Sequence, residues 1–158
     1  AYRAHASEHK IEFNDVRKNT EQTSEIRGDL DEIVEVFHNL LDNALKYSYP
    51  STKIDVSLSE NHTGNLVLAI ENIGDGIEEK HIPRLTERFY RVDKGRSRQM
   101  GGTGLGLAIV KHIINKHRGQ LLISSKPKQE TVFEVHLPYF SNFEQIDTSL
   151  PRLPLQGS

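Results

Sequence analysis

The spacing of apolar and polar residues changes period several times along the chain, and each change marks an element. "KIEFND" (10–15) alternates as a half-buried strand does, and "SEIRG" allows a second, short strand. "GDLDEIVEVFHNLLDNALKYS" then shifts to a helical period. Ile33, Val36, Phe37, Leu40, Leu41, Ala44 and Leu45 form its apolar stripe, with Asp29 placed to cap it and Glu32 to complete a capping box. "KIDVSLSE" and "NLVLAIEN" alternate around "NHTG" and predict a hairpin. "IPRLTERFY" predicts a short helix with Pro83 in its first turn. A polar loop from Asp93 to Met100 leads to a second apolar helical pattern, 104–117, ending before Gly119. "QLLISS" and "TVFEVHLP" predict a second hairpin. After Pro138 the pattern fades, so residues 141–158 are expected to form a flexible tail.

Two hairpins separated by helices predict a two-layer α/β (α+β) sandwich rather than a wound βαβ fold. The sheet should be mixed and mostly antiparallel, with about five strands covered on one face by about three helices. At 158 residues the chain suits one domain, expected over residues 1–140.

Composition narrows the function classes. Twenty Lys+Arg against 22 Asp+Glu leave a net charge of -2, which argues against a general nucleic-acid partner. Without cysteine there is no disulfide framework and no thiolate metal site. No apolar run approaches the ~18 residues that span a bilayer. The charged opening of the chain gives the expectation of a piece from a longer protein.

Four glycines lie between Gly101 and Gly106, directly before the second helical pattern. They match neither the P-loop, nor the Rossmann G-x-G-x-x-G after a strand, nor the protein-kinase glycine loop. Two readings stay even. The glycines deliver backbone N–H groups to a helix start, where phosphate is favoured, or they let the helix pack closely on the sheet.

Other residues add to the first reading. Asn39, Asn43, Lys46 and Tyr47 fall at offsets that, at ~100° per residue, form one polar stripe beside the apolar one. A carboxamide oxygen on such a stripe suits Mg²⁺, and a lysine suits phosphate. A solvated helix flank is the plainer alternative. In "ENIGDGI", Asn72 ends a strand and Gly74 and Gly76 follow, an arrangement that suits either a flat ligand edge or an ordinary turn.

Taken in order, these motifs resemble the catalytic and ATP-binding domain of sensor histidine kinases, within the ATPase group that includes gyrase, Hsp90 and MutL. "NLLDNALKYS" resembles the N box, "NIGDGI" the first glycine box, "ERFYRVD" the F box and "GGTGLGLAIVKHI" the second glycine box. The likeness runs from about Lys10 to Pro138, and "IPRLTERFYRVDKGRSRQ" is especially similar to phosphate-responsive sensor kinases.

The resemblance implies a Bergerat-type fold with ATP and Mg²⁺ as cofactors. It implies that Asn43 is the Mg²⁺ ligand, that Asn39 lies one turn earlier in the site, and that Lys46 and Tyr47 contact phosphate and nucleotide. Asn72 would recognise adenine, with Gly74 and Gly76 shaping the purine pocket. Phe89 would anchor an ATP lid spanning about Ile77 to Thr103 and face the phosphoacceptor helix. Arg91 would reach the phosphates, and Gly102, Thr103, Gly104, Leu105 and Gly106 would close over them. Catalysis would fall to Asn39, Asn43, Lys46 and Arg91.

The family reads D-x-G-x-G where this sequence has Asn72, Gly74 and Gly76. A neutral amide gives a weaker bond to the adenine amino group than a carboxylate does. A second reading is therefore a nucleotide-weak domain that serves as a regulatory or interaction module. A third, an ATP-hydrolysing clamp, needs an acidic base where Asn39 stands.

None of the eight histidines lies in the family's H-E-x-[RK]-x-P acceptor context, and His38, His112 and His117 read as packing or surface residues. The implied function is donation of the ATP γ-phosphate to a histidine on a separate dimerisation domain of the same kinase. A response regulator would be reached through the full kinase. The resemblance also implies a homodimer, a cytoplasmic setting and anchoring in the inner membrane by segments absent from this chain.

Overall fold

The computed structural model describes residues 9–17, 24–92 and 105–141. In chain order these form β1 (Lys10–Asp15), β2 (Ser24–Glu25), α1 (Leu30–Tyr47), β3 (Lys53–Glu60), β4 (Asn65–Ile73), a 3-10 helix (Glu79–Arg84), α2 (Gly106–Lys116), β5 (Gln120–Ser125), β6 (Glu130–Pro138) and β7 (Phe140–Ser141).

The main sheet has five strands in the order β1-β3-β4-β6-β5. β1 runs parallel to β3, and every other pairing is antiparallel. Both predicted hairpins form, as β3–β4 and β5–β6. The central pair is non-local: β4 meets β6 from Asn65 opposite Pro138 to Ile73 opposite Glu130. The chain between them passes through the 3-10 helix and α2.

The helical stripe of α1 buries Val36, Leu40, Leu41, Ala44 and Leu45. They pack with Ile54, Ile70, Phe133 and Val135 of the sheet and with Val110, Ile113 and Ile114 of α2. Full burial of an aliphatic side chain of this size contributes ~1.5–3 kcal/mol, so this contact dominates the stability of the helical layer. Thr131, Phe133, Val135 and Leu137 alternate inward along β6, and Ile70 and Asn72 do so on β4. Asn72 and Thr131 therefore occupy core-facing positions at one end of the sheet, directly opposite each other.

Several local expectations are corrected. Asp29 does cap α1, its Oδ1 accepting from Asp31 N at 2.9 Å and Glu32 N at 3.3 Å. No capping box closes, because the Asp29 N–H donates instead to His117 Nε2 at 3.0 Å. Glu32 turns to Lys116 at 2.8 Å. His117 is a packing residue, one of the two readings the sequence allowed: it is buried, with Nδ1 donating to the Ile113 carbonyl at 2.8 Å. These two bonds define the neutral Nδ1–H tautomer.

The helix expected around Pro83 is a 3-10 helix with Pro83 near its end. Pro83 has no N–H to donate, and its ring crowds the carbonyl four residues back, so an α-helix does not run through it. Ser141, expected to begin the tail, lies in β7, which pairs with β2 through Ser24–Ser141 and Glu25–Phe140. The rest of the expected tail, 142–158, lies outside the described residues. Among the described residues, no helix is long and apolar enough to cross a membrane.

Candidate functional site

The site is built where α1, the end of β4 and the start of α2 meet. Asn39, Asn43, Lys46 and Tyr47 are all half-buried along one edge of α1. The Nδ2 of Asn39 donates to the Glu35 carbonyl at 3.0 Å, which fixes the amide and directs Oδ1 away from it. That oxygen faces the first turn of α2: a Cβ added at Gly106 would lie 3.1 Å from it. Any side chain at 106 would crowd the gap between the two helices. Lys46 forms an i,i+4 ion pair with Asp42 at 3.0 Å.

The first turn of α2 carries no acidic residue, and Leu105 at its N-cap makes no side-chain cap bond. Among the described residues no side chain caps its leading N–H groups, and the positive end of the helix dipole there favours an anion. Leu105 and Gly106 are both half-buried there.

At the other end of the stripe, the turn after β4 presses on the end of α1. Gly74 is buried, its N–H donates to the Gln129 carbonyl at 3.2 Å, and it pairs in an isolated bridge with Ser48. A Cβ at Gly74 would lie 2.2 Å from the Tyr47 carbonyl oxygen, so only glycine fits this approach. Gly76 has φ of +80°, and Ile77 N donates to Ser125 Oγ at 2.9 Å. Ile77 also packs on the core.

Asn72 is 5% exposed, yet no described residue hydrogen-bonds its amide. Among the described residues the one sealed side-chain polar atom without a partner is Glu32 Oε1. The amide of Asn72 is thus nearly enclosed but not sealed, an arrangement that suits a ligand edge.

Two further residues belong to this corner and were missed in the sequence. Thr131, 4% exposed, lies across from Asn72, and its hydroxyl meets Ser125 Oγ at 2.7 Å. The signal was present: in "TVFEVHL" the threonine takes an inward position otherwise held by Phe133, Val135 and Leu137. Asp75, within the same turn, accepts from the Tyr49 hydroxyl at 2.7 Å.

Phe89 and Arg91 come from the segment after the 3-10 helix. Phe89 is 64% exposed with φ of +66°, and Arg91 is half-buried. A bulky residue in the left-handed region costs of order 1–3 kcal/mol, so the surroundings must impose it. Gly102, Thr103 and Gly104, with the expected lid from 93 onward, lie outside the described residues.

The donor set fits Mg²⁺ of the kind bound largely by phosphate and water. Such a site needs one or two protein oxygens, not a cage. Asn43 and the outward Oδ1 of Asn39 provide neutral oxygens, and among the described residues no cluster of His, Cys, Asp or Glu offers a competing all-protein metal centre.

Comparison with known proteins gives a consistent picture. Residues 28–141 match the family described as histidine kinase-, DNA gyrase B- and HSP90-like ATPases. The phosphate regulon sensor protein PhoR of Pseudomonas aeruginosa is 44% identical over 112 residues, covering 71% of this chain. This chain spans 25% of that protein. The mycobacterial sensor histidine kinase MprB superposes with a TM-score of 0.73 at 30% identity, covering 87% of this chain and 86% of that one. Full-length ShkA, solved in complex with AMPPNP, shares the fold with a TM-score of 0.71 at 21% identity, covering 87% of this chain and 27% of that one.

Proposed function

The chain belongs to the histidine kinase-, DNA gyrase B- and HSP90-like ATPase family, and from that premise we propose that it is the Mg-ATP-binding catalytic domain of a sensor histidine kinase. In this reading it presents the γ-phosphate to a histidine on a separate helical dimerisation domain of the same protein. The Pγ–O bond to ADP breaks as the N–P bond forms on that histidine.

The observation that carries the reading is the facing of Asn39 Oδ1 and the uncapped first turn of α2 across Gly106. An anion bound at that turn lies beside the oxygens of the α1 stripe. Asn43, with Asn39 a turn away, would hold Mg²⁺, which neutralises charge on the phosphates when bound. Lys46 exchanges Asp42 for phosphate, and Arg91 adds a second cation. Adenine sits at the Asn72 corner, shaped by Gly74, Gly76 and Ile77 with Thr131 below. Tyr47 borders the nucleotide, and Gly102, Thr103, Gly104 and Leu105 cover the phosphates. Phe89 faces the acceptor helix. These residues act by positioning and charge stabilisation.

The acceptor, the dimer, the response regulator and the membrane anchor belong to the rest of the protein in this reading. A second reading, a weakly binding regulatory module, is favoured by the neutral amide at Asn72.

Calorimetric titration with AMPPNP, with and without Mg²⁺, tests the proposal. Binding is expected to require Mg²⁺, and Asn43→Ala is expected to abolish that requirement's benefit while leaving the fold intact. No binding of adenine nucleotide at millimolar concentration would favour the regulatory module.

A further inference from the structure

The segment that carries Phe89 is braced by its own backbone and side chains. After the 3-10 helix the backbone advances by successive turns, with Glu87 N donating to the Arg84 carbonyl at 2.9 Å and Tyr90 N to the Glu87 carbonyl at 3.2 Å. The Tyr90 hydroxyl hydrogen-bonds His81 Nδ1, and the two rings lie tilted with centroids 5.9 Å apart. The Arg84 guanidinium carbon sits 4.4 Å above the Tyr90 ring. Arg84 Nη2 in turn holds Glu87 at 3.1 Å.

All of this holds Tyr90, and none of it holds the ring next to it. Phe89 stays 64% exposed on a left-handed backbone. An exposed phenyl ring and a positive φ are each unfavourable, and relaxing to negative φ would turn the ring elsewhere. The clamp on Tyr90 fixes the chain one residue beyond Phe89 and so opposes that relaxation.

Resting on the kinase reading above, we propose that His81, Arg84 and Tyr90 are positioning residues for phosphotransfer, a frame that keeps Phe89 projecting in the pose the acceptor domain meets. The occupant lies in the remainder of the protein, because this chain spans only 25% of its relative's length. Apart from Arg91, which follows Tyr90, the proposed nucleotide contacts lie at the Asn39–Gly106 gap and the Asn72 corner, so the frame acts on the encounter with the acceptor far more than on affinity for ATP.

The test uses the full-length kinase that contains this chain, with Tyr90→Phe, Arg84→Gln, Phe89→Ala and the Phe89→Ala/Tyr90→Phe double variant. Acid-labile histidine phosphate is followed over a range of Mg-ATP concentrations. Tyr90→Phe and Arg84→Gln are each expected to lower kcat about five- to tenfold with KM for ATP within about twofold of the parent, the small margin allowing for Arg91 next to Tyr90. The double variant is expected to be no slower than Phe89→Ala alone, because the frame acts through that ring. Unchanged kcat in both single frame variants overturns the proposal, as does a double variant whose loss is the product of the two. A rise in KM matching the fall in kcat/KM overturns it too, since that is a nucleotide-site effect. A parent kinase that binds Mg-AMPPNP and forms no histidine phosphate removes the kinase reading itself, and the frame's role with it.

Discussion

At the first turn of α1, Asp29 accepts two backbone N–H groups, Asp31 and Glu32 add negative charge, and His117 and Lys116 reach in from α2. At the first turn of α2, Leu105 provides no side-chain cap and no acidic residue follows. Both starts present the same free N–H groups and the same dipole. The first is satisfied by the protein itself and knits the two helices together. Among the described residues the second has no side-chain cap, and it lies opposite Asn39. In the reading proposed above, the difference separates a structural end of the helical layer from the end that takes phosphate, although both lie on the same two helices.

Breaking the closed end should cost stability and nothing else. His117→Ala removes a buried side chain and two hydrogen bonds, and it leaves the Asp29 N–H without its acceptor. A loss of about 2–4 kcal/mol is expected in urea unfolding. The dissociation constant for Mg-AMPPNP, measured well below the unfolding transition, is expected to stay within twofold. A large loss of affinity in the folded variant would mean that the two ends are not separable.

Gly106→Ala strikes the open end with the opposite balance. Alanine is the better helix former, by up to ~1 kcal/mol in a helix interior, so stability is expected to hold or rise slightly. The new Cβ would lie 3.1 Å from Asn39 Oδ1 and narrow the gap between the helices. Nucleotide affinity is expected to fall about tenfold, roughly 1.4 kcal/mol. Undiminished binding would mean that phosphate does not approach this turn.

The closed and open ends were not equally legible in the sequence. The apolar period and the Asp29 cap announced α1, and the alternating strands announced both hairpins, because each signal is local. The pairing of Asp29 with His117 spans 88 positions, and no local period carries that information. Glu32 matched the capping-box spacing, but spacing is silent about Lys116, which competes for its carboxylate. Placement of Asn72 on an inward register could be read from "NLVLAIEN", whereas its partner Thr131 needed the non-local β4–β6 register. The left-handed backbone of Phe89 had no sequence signal, since φ above zero is announced by glycine or asparagine and not by phenylalanine.

Asn72→Asp sharpens the comparison at the base end of the site. The carboxylate accepts more strongly than the amide, ~1.5–3 kcal/mol against ~1 for a neutral bond. Burial of the new charge offsets part of the gain, because position 72 is only 5% exposed. About tenfold tighter binding of adenine nucleotide is expected, with little or no gain for guanine nucleotide. Equal dissociation constants for the Asp and Asn forms would reject the placement of the purine at this corner.

The smallest effect is expected one residue away, at Glu71, which points from β4 to the opposite face of the sheet between Asp55 and Val132. Burial holds its carboxyl above the ordinary 4.5, and the charges of Asp55 and Glu130 push it in the same direction. A carboxyl with a raised folded pKa binds its proton more tightly in the folded state. Folding is therefore favoured while the group is protonated, and that advantage is lost as pH rises from the ordinary value through the folded one. Glu71→Gln keeps the side chain neutral at every pH. At pH 7 the variant is expected to be slightly more stable than the parent, by no more than about 0.5 kcal/mol because solvent screens a carboxylate that is only half-buried, and at pH 4 or below the two should converge. Paired urea titrations at pH 7 and pH 4 measure the difference. Because Glu71 and Asn72 face opposite sides of one strand, Mg-AMPPNP affinity should not change. A change there would mean that the open face of the sheet is coupled to the nucleotide corner, and the division between structural and binding regions would have to be redrawn through β4.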